Sequence, residues 1–308
     1  MSKAVRKALI TGASGFIGGH LARQLVRDGW QVHTLVRKPG NGVNEHLHDG
    51  SIGSLVNCMT AVQPDVVFHL ASLFLSQHST TDVDNLIQSN IAFGAQLLEA
   101  MKVAGVRRLV NTGTSWQNYE GGAYNPVCLY AATKQAFEAL IDYYVQAEGF
   151  KVITLRLFDT YGADDPRPKL FHLLRKSAAS GETLRMSPGE QLIDLVHVDD
   201  VVAAFKLAET QLDDTKLDKT LADGAGGHRV YGVSSGAPMA LRDLVARFCS
   251  TTGERVDVQW GGRPYREREV MQPWQGEILP TWTPLVSLEE GLRTLASTNN
   301  STAKDASQ

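Results

Sequence analysis

Tyr130 and Lys134, in Leu129-Tyr130-Ala131-Ala132-Thr133-Lys134, are a pair whose types and spacing could do chemistry. Residues i and i+4 of a helix share a face. A phenol, with an ordinary pKa near ~10, is a poor acid–base catalyst at neutral pH. An ammonium one turn away favours the phenolate and lowers that value. Of the eight tyrosines, Tyr130 alone has a lysine at this offset. The competing reading is an exposed helix pair without a role. Against it stands the hydroxyl-rich segment upstream, Thr112-Gly113-Thr114-Ser115.

A second stretch, Thr11-Gly12-Ala13-Ser14-Gly15-Phe16-Ile17-Gly18-Gly19, follows the apolar Ala8-Leu9-Ile10 and precedes Leu21, Leu25 and Val26 at helical spacing. A strand, a glycine turn and a helix start suit a pyrophosphate. Gly12 permits the turn, Gly15 lets backbone approach a ligand, and Gly18 lets helix and strand pack closely. Free N–H groups and the helix dipole favour the anion. The G-x-x-G-x-x-G spacing is one residue longer than the commonest dinucleotide fingerprint, yet its context predicts dinucleotide binding. A nicotinamide cation would then add to the effect of Lys134 on Tyr130.

The elements that must position these residues alternate strand and helix. Val32, Thr34 and Val36 mark strand two, stopped by Pro39. In NAD binders an acidic residue near this strand end takes the ribose hydroxyls. Here Arg37 and Lys38 stand instead, which favours NADP(H), with NAD(H) the alternative. A solvated strand end is the rival reading of that pair. Asp49, in a polar loop, either approaches the adenine edge or closes a surface turn. A helix over 52–62 leads to Val66-Val67-Phe68-His69-Leu70-Ala71-Ser72, a strand buried on both faces. His69 reads as a hydrogen-bonded core histidine, and Ala71 and Ser72 are small enough for a close cofactor. Long helices are expected over 82–105, closed by Gly105, and over 129–148, with strands ending near Thr114 and Phe158.

This alternation predicts an α/β fold: a Rossmann-type doubly wound parallel sheet whose strand ends converge on one crevice. Past residue 160 shorter elements are expected: helices near 168–179, 199–210 and 240–251, an apolar segment 192–198 and a strand near 229–233. Residues 261–284 read as irregular. Ser287-Leu288-Glu289-Glu290 reads as a capping box opening a last helix, and the tail from 297 as disordered. The division expected is 1–160 plus about 192–235 as the dinucleotide domain, and about 161–191 plus 236–297 as a smaller C-terminal substrate lobe.

The 308 residues carry a net charge of −3, 43% hydrophobic and 20% charged residues. No basic block points to nucleic acid, and no apolar run is long enough for a bilayer. The start, Met1 to Gly12, leads straight into a strand, which predicts no signal peptide. Three scattered cysteines offer neither a disulfide framework nor metal spacing. A reducing cytoplasm is the location expected. His197, Asp199 and Asp200 are too openly spaced for a metal and read as structural or capping, so no metal is assigned.

In their order, TGASGFIGG, DVVFHLAS, the hydroxyl cluster, YAATK, LRLFDTYG and LVHVDDVV resemble the extended short-chain dehydrogenase/reductase family. These are nucleotide-sugar epimerases, dehydratases and reductases. The GTSWQ, YREREVM and W-x-P-x-V-S-L-E-E-G context is similar to the CDP-abequose/paratose synthase-like 4-ketoreductases. The resemblance implies a triad: Tyr130 as general acid–base, Lys134 on the nicotinamide ribose, and Thr114 on the substrate oxygen with Ser115 as its rival. It implies cofactor contacts from Gly12, Ser14, Gly15, Phe16, Ile17 and Gly18, from Arg37, Lys38 and Asp49, and from Leu70, Ala71 and Ser72. Thr112, Tyr130, Lys134 and Phe158 complete them. Substrate contacts are expected from Thr114, Ser115, Asp159, Arg167, Lys169, Tyr265 and Arg266, and Arg263 lies in the same stretch.

Three positions depart from the family pattern. Asp159 stands for the usual Asn, Ile193 for an Arg, and Trp116-Gln117-Asn118-Tyr119 for a Tyr-Gly segment. The reaction implied is NADPH-dependent reduction of a 4-keto nucleotide-activated deoxysugar. A 4-epimerase is the alternative, and a dinucleotide sensor that lost catalysis the alternative of another class. A homodimer through the 82–105 and 129–148 helices is also expected, as in many relatives.

Overall fold

The computed structural model describes residues 5–40, 42–212 and 227–295. The polar tail from 297, expected to be disordered, lies outside the described residues. In chain order the first elements are β1 (Lys7–Thr11), α1 (Phe16–Arg27), β2 (Gln31–Val36), β3 (Glu45–Leu47), α2 (Ile52–Val62) and β4 (Val66–His69). After these come α3 (Val83–Ile87), α4 (Phe93–Ala104), β5 (Arg108–Thr114), α5 (Leu129–Glu148), β6 (Lys151–Leu157) and β7 (Asp159–Tyr161). The remainder holds α6 (Leu170–Ser180), β8 (Leu184–Arg185), β9 (Leu192–Ile193), β10 (Leu195–His197), α7 (Val198–Gln211), β11 (His228–Val233), β12 (Met239–Ala240), α8 (Leu241–Thr252) and β13 (Val258–Gln259).

Seven strands form one parallel sheet in the order β11-β6-β5-β4-β1-β2-β3. This is the doubly wound sheet expected from the strand–helix alternation. The chain leaves β1 toward β2 on one side and returns through β4 on the other. That reversal opens a crevice between the carboxyl ends of β1 and β4.

Side chains alternate across each strand, so the sheet carries two cores. On one face Ile10, Phe68, Val110 and Ile153 lie under Leu21 and Leu25 of α1 and Val201 and Phe205 of α7. On the other, Leu9, Val67, Leu109 and Val152 lie under Met59 of α2, Leu97 and Met101 of α4, and Phe137 and Ile141 of α5. Full burial of each such side chain contributes roughly 1.5–3 kcal/mol. A third cluster joins Phe171 and Leu174 of α6 to Leu244 and Phe248 of α8, with Tyr161 and Leu292.

One expected helix differs. The 82–105 segment is interrupted: α3 passes through a π turn at Gln88–Ala92 before α4 begins. The widened turn carries Asn90, which is buried and satisfied on three sides. Its amide nitrogen donates to the Leu73 carbonyl at 3.0 Å and to Thr133 Oγ1 at 2.9 Å, and its oxygen accepts from Leu73 N at 2.8 Å. Apolar periodicity does not report such a polar clamp. Gly105 closes α4 with φ +77°, as expected of a glycine cap. The last helical stretch spans 288–295, and Glu290 N donates to the Ser287 hydroxyl at 3.2 Å.

Candidate active site

The glycine loop is shaped by backbone meeting backbone. Gly12 has φ +77°, and a Cβ there would lie 2.6 Å from Ala71 N. A Cβ on Gly18 would lie 2.2 Å from the Gly12 carbonyl oxygen. Neither neighbour is a side chain that can swing away. Below the loop, Leu70 N donates to the Thr11 carbonyl at 3.1 Å and Ala71 N to Thr11 Oγ1 at 3.2 Å. Thr11 Oγ1 also meets His69 Nδ1 at 2.8 Å. Burial pushes the His69 imidazole down to about 3, with the Lys134 charge adding to it, so this histidine is neutral. It is the hydrogen-bonded core residue expected.

Ser14, Gly15, Phe16 and Ile17 complete the loop and the first turn of α1, with Phe16 buried. Leu70, Ala71 and Ser72 follow β4 across the crevice. Arg37 and Lys38 are exposed beyond the end of β2. Near them Glu45, which no motif singles out, accepts from Gly40 N at 2.8 Å and holds the 40–45 loop. Asp49 is exposed and engaged in its own turn, accepting from Ser51 N at 2.9 Å and from the Ser51 hydroxyl at 2.6 Å. These bonds hold its carboxyl at about 2.

A dinucleotide fits this crevice by two observations. At Gly12 and Gly18 the backbone cradle leaves no room for a side chain, and Thr112 Oγ1, buried on the adjacent β5, has no hydrogen-bond partner among the described residues. An orphaned buried hydroxyl is costly without a ligand to meet it.

Tyr130 and Lys134 lie on the first turns of α5, and both are buried. The Phe74 ring packs edge-on to Tyr130, with ring centres 5.0 Å apart. The expected lowering of the phenol by Lys134 is overruled in this arrangement. Burial dominates and raises the Tyr130 phenol above its usual range, while Ser72 opposes. The same burial pulls Lys134 down to about 8, against the pull of Glu138. Desolvation penalises each charged form, and it outweighs one charge a helical turn away.

The hydroxyl cluster divides between two surroundings. Thr114 is buried and caps the single turn that follows it. Its Oγ1 accepts from Trp116 N at 3.3 Å, and its N–H donates to Gln117 Oε1 at 2.9 Å. Ser115 lines an open cleft of about 620 Å³, together with Trp116, Asn118, Phe158, Asp159, Gln191, Asp194, Arg266, Arg268 and Trp274. Phe158 stacks on Trp274, with ring centres 6.3 Å apart. Arg266 lies 5.4 Å from the Trp116 ring and pairs with Glu269 at 3.3 Å.

Of the other expected substrate residues, Asp159 lines the cleft and is paired with Lys169 at 3.1 Å. Arg167 turns away from it: the side chain pairs with Asp165 at 2.6 Å, donates to the Thr160 carbonyl, and lies 4.8 Å from the Phe16 ring. Tyr265 accepts from Glu190 N at 3.1 Å. Thr114, Arg167, Lys169 and Tyr265 are not among the residues that line the cleft. Thr114 and Arg167 are held by partners within a few residues and Tyr265 by Glu190 from elsewhere in the chain, while Lys169 pairs with Asp159 of the cleft wall.

Arg268, Asn118 and Trp274 are cleft residues that sequence reasoning missed. The only signal for Arg268 is its place in the basic run Arg266-Glu267-Arg268. Its side chain lies 4.3 Å from the Tyr119 ring and donates to Asn125, and its Nε is buried with no partner among the described residues. A guanidinium in a cleft wall is a ready donor to an anion. His197 caps α7 by accepting from Asp199 N at 3.3 Å, while Asp200 accepts from Leu285 N and Val286 N. Among the described residues no helix is long and apolar enough to cross a membrane.

Comparison with known proteins agrees with this geometry. The chain is 27% identical to a CDP-abequose synthase of Yersinia pseudotuberculosis, over 87% of this chain and 91% of that protein. It is 26% identical to a UDP-glucose 4-epimerase of Mycolicibacterium smegmatis, over 93% and 96%. The solved structure of MoeE5 in complex with UDP-glucose and NAD superposes with a TM-score of 0.80 at 28% identity, covering 96% of this chain and 99% of that one. Residues 8–221 match the model of the NAD dependent epimerase/dehydratase family, and the chain belongs to that family of enzymes.

Proposed function

We propose that the protein reduces a 4-keto nucleotide-activated deoxysugar with NADPH. One observation carries this reading: the buried Tyr130 of the Tyr130–Lys134 pair packs on Phe74, whose ring also meets Trp116 of a cleft whose wall holds two arginines, Arg266 and Arg268. A hydroxyl acid beside a dinucleotide implies carbonyl chemistry, and arginines in an adjoining cleft suit a diphosphate. The bound cofactor supplies hydride to C4 of the sugar.

Tyr130 gives its phenolic proton to the carbonyl oxygen as that oxygen gains charge, leaving a C4 alcohol. Its raised pKa suits a group that stays protonated until that moment. Ser115, facing the cleft, or Thr114, behind it, steadies the oxygen. Lys134 holds the nicotinamide ribose. Gly12, Ser14, Gly15, Phe16, Ile17 and Gly18 hold the pyrophosphate, and Arg37 and Lys38 take a 2′-phosphate. The segments 161–191 and 236–297 act as the substrate lobe and orient the sugar. The working form is a cytoplasmic homodimer through the 82–105 and 129–148 helices.

A redox-neutral 4-epimerase is the second reading. It is favoured by the likeness to UDP-glucose 4-epimerase and to solved structures holding NAD. Purified protein is incubated with NADPH and a 4-keto nucleotide sugar and, separately, with NAD and a 4-hydroxy nucleotide sugar, which alone has a C4 configuration to invert. Stoichiometric NADPH oxidation is the expected result. Interconversion of nucleotide sugars without net oxidation sinks the reductase in favour of the epimerase, and neither reaction points to a dinucleotide sensor.

A further inference from the structure

Behind the hydroxyl turn lies a charge pair for which the reaction above has no task. Glu138 and Arg156 are only 3% and 8% exposed. Tyr130, Lys134 and Glu138 follow one another at intervals of four along α5, so they share one face. Arg156 reaches them from β6. Its Nη2 donates to Glu138 Oε2 at 2.6 Å and its Nε to Oε1 at 3.4 Å.

The pair is tied to the turn at both ends. Gln117 Nε2 donates to Glu138 Oε1 at 2.8 Å and to Gln135 Oε1 at 3.1 Å, while Gln117 Oε1 accepts the Thr114 N–H. Arg156 Nη1 donates to Asn118 Oδ1, and its guanidinium lies 5.4 Å from the Trp274 ring. One carboxylate is thereby joined to the 114–118 turn and, through Arg156, to the Trp274 wall of the cleft.

Such a pair is a poor device for stability alone. Desolvation of two charges roughly offsets their attraction, and apolar replacements of similar volume are often neutral or stabilising. What it does supply is geometry, because a guanidinium fork on a carboxylate fixes direction as well as distance. Its charge also has a second object. Lys134 has two titratable neighbours acting with it: His69 of β4, which is neutral, and Glu138, one turn on along the same face of α5. With His69 uncharged, Glu138 is the group that opposes the loss of the Lys134 proton to burial.

We propose that Glu138 is a positioning residue of this site: through Gln117 it sets the Thr114–Ser115 turn, through its charge it keeps Lys134 an ammonium, and Arg156 anchors it for both tasks. The proposal rests on the roles given above to Thr114, Ser115 and Lys134, but its test needs neither substrate nor turnover.

The full chain is labelled with ¹³C-lysine, and the Lys134 side-chain resonance is identified by its absence in Lys134→Met. In the double variant E138Q/R156M, which removes both charges at similar volume, the Lys134 titration midpoint is expected to fall by about one unit, a tenfold loss of proton affinity. In Gln117→Leu the midpoint is expected to hold while the Thr114 amide exchanges its hydrogen about tenfold faster, equivalent to about 1.4 kcal/mol. An unchanged midpoint in the double variant overturns the proposal, and so does unchanged Thr114 exchange in Gln117→Leu. Should the double variant not fold, Glu138→Asp keeps the charge and shortens the arm. It is expected to retain the midpoint and speed Thr114 exchange, and a lost midpoint or unchanged exchange overturns the proposal. If the protein instead proves inactive on every keto sugar, both measurements still stand, so the two failures are distinguishable.

Discussion

The crevice at the glycine loop and the cleft beside Ser115 are built on different principles. The crevice, at the ends of β1 and β4, is made of backbone: Gly12 against Ala71, Gly18 against Gly12, and Leu70 on Thr11. The cleft is made of side chains that come from 115–118, 158–159, 191–194 and 266–274. Its residues are held by one another or from behind: Arg266 by Glu269, Phe158 on Trp274, and Asn118 by Arg156. A backbone site tolerates few substitutions. A side-chain site is redrawn by one substitution, and it is where specificity resides.

Tyr130, where the two regions meet, gives the largest effect. Tyr130→Phe is expected to lower turnover by about 10²–10⁴-fold while dinucleotide affinity, measured by titration, changes little. Retained turnover removes Tyr130 as the acid, and lost affinity makes it part of the crevice instead.

The backbone character of the crevice is tested by Gly18→Val. The added Cβ meets the Gly12 carbonyl within van der Waals contact, so a loss of about 3 kcal/mol or more in unfolding free energy, or failure to bind dinucleotide, is expected. A variant that folds and binds normally shows that the loop is looser than this contact implies.

Arg37→Asp probes the 2′-phosphate contact proposed for the crevice. The ratio of NADPH to NADH affinity is expected to fall about tenfold or more, since a carboxylate repels a 2′-phosphate. An unchanged ratio assigns Arg37 to the solvated strand end.

The smallest effect is in stability. The folded-state pKa of Lys134, about 8, lies below its ordinary value of 10.5. Below about 8 the fold therefore bears the cost of a buried ammonium. Between the two values the unfolded chain binds the proton more tightly, so stability rises with pH. Lys134→Met is then expected to raise Tm by a few degrees at pH 7, on the order of 2 kcal/mol, and to lose that gain by pH 10.5. A lower Tm at pH 7 indicates that Lys134 also supports the fold. Activity of the native enzyme should fall as pH rises past about 8.

Local rules reach far into the fold. Helix positions 52–62 and 129–148, the glycine cap at 105 and the parallel sheet follow from periodicity, capping and right-handed crossovers, which act over a few residues. The π turn at Gln88–Ala92 does not, because its reason is Asn90 reaching Leu73 and Thr133 across the fold. The same limit divides the site.

The glycine spacing and the Tyr130–Lys134 offset are local patterns, legible in the amino-acid order alone. The partners that draw off Arg167, Tyr265 and Thr114 and the orphaned Nε of Arg268 are not, and neither is the Glu138–Arg156 pair under the hydroxyl turn. Sequence by itself determined the glycine turn at the carboxyl ends of β1 and β4, because close backbone approach restricts residue types one position at a time. Tertiary structure alone decided which polar side chains face the cleft. Each of them chooses between a nearby partner and the open site, and that choice depends on burial and on neighbours from the other end of the chain.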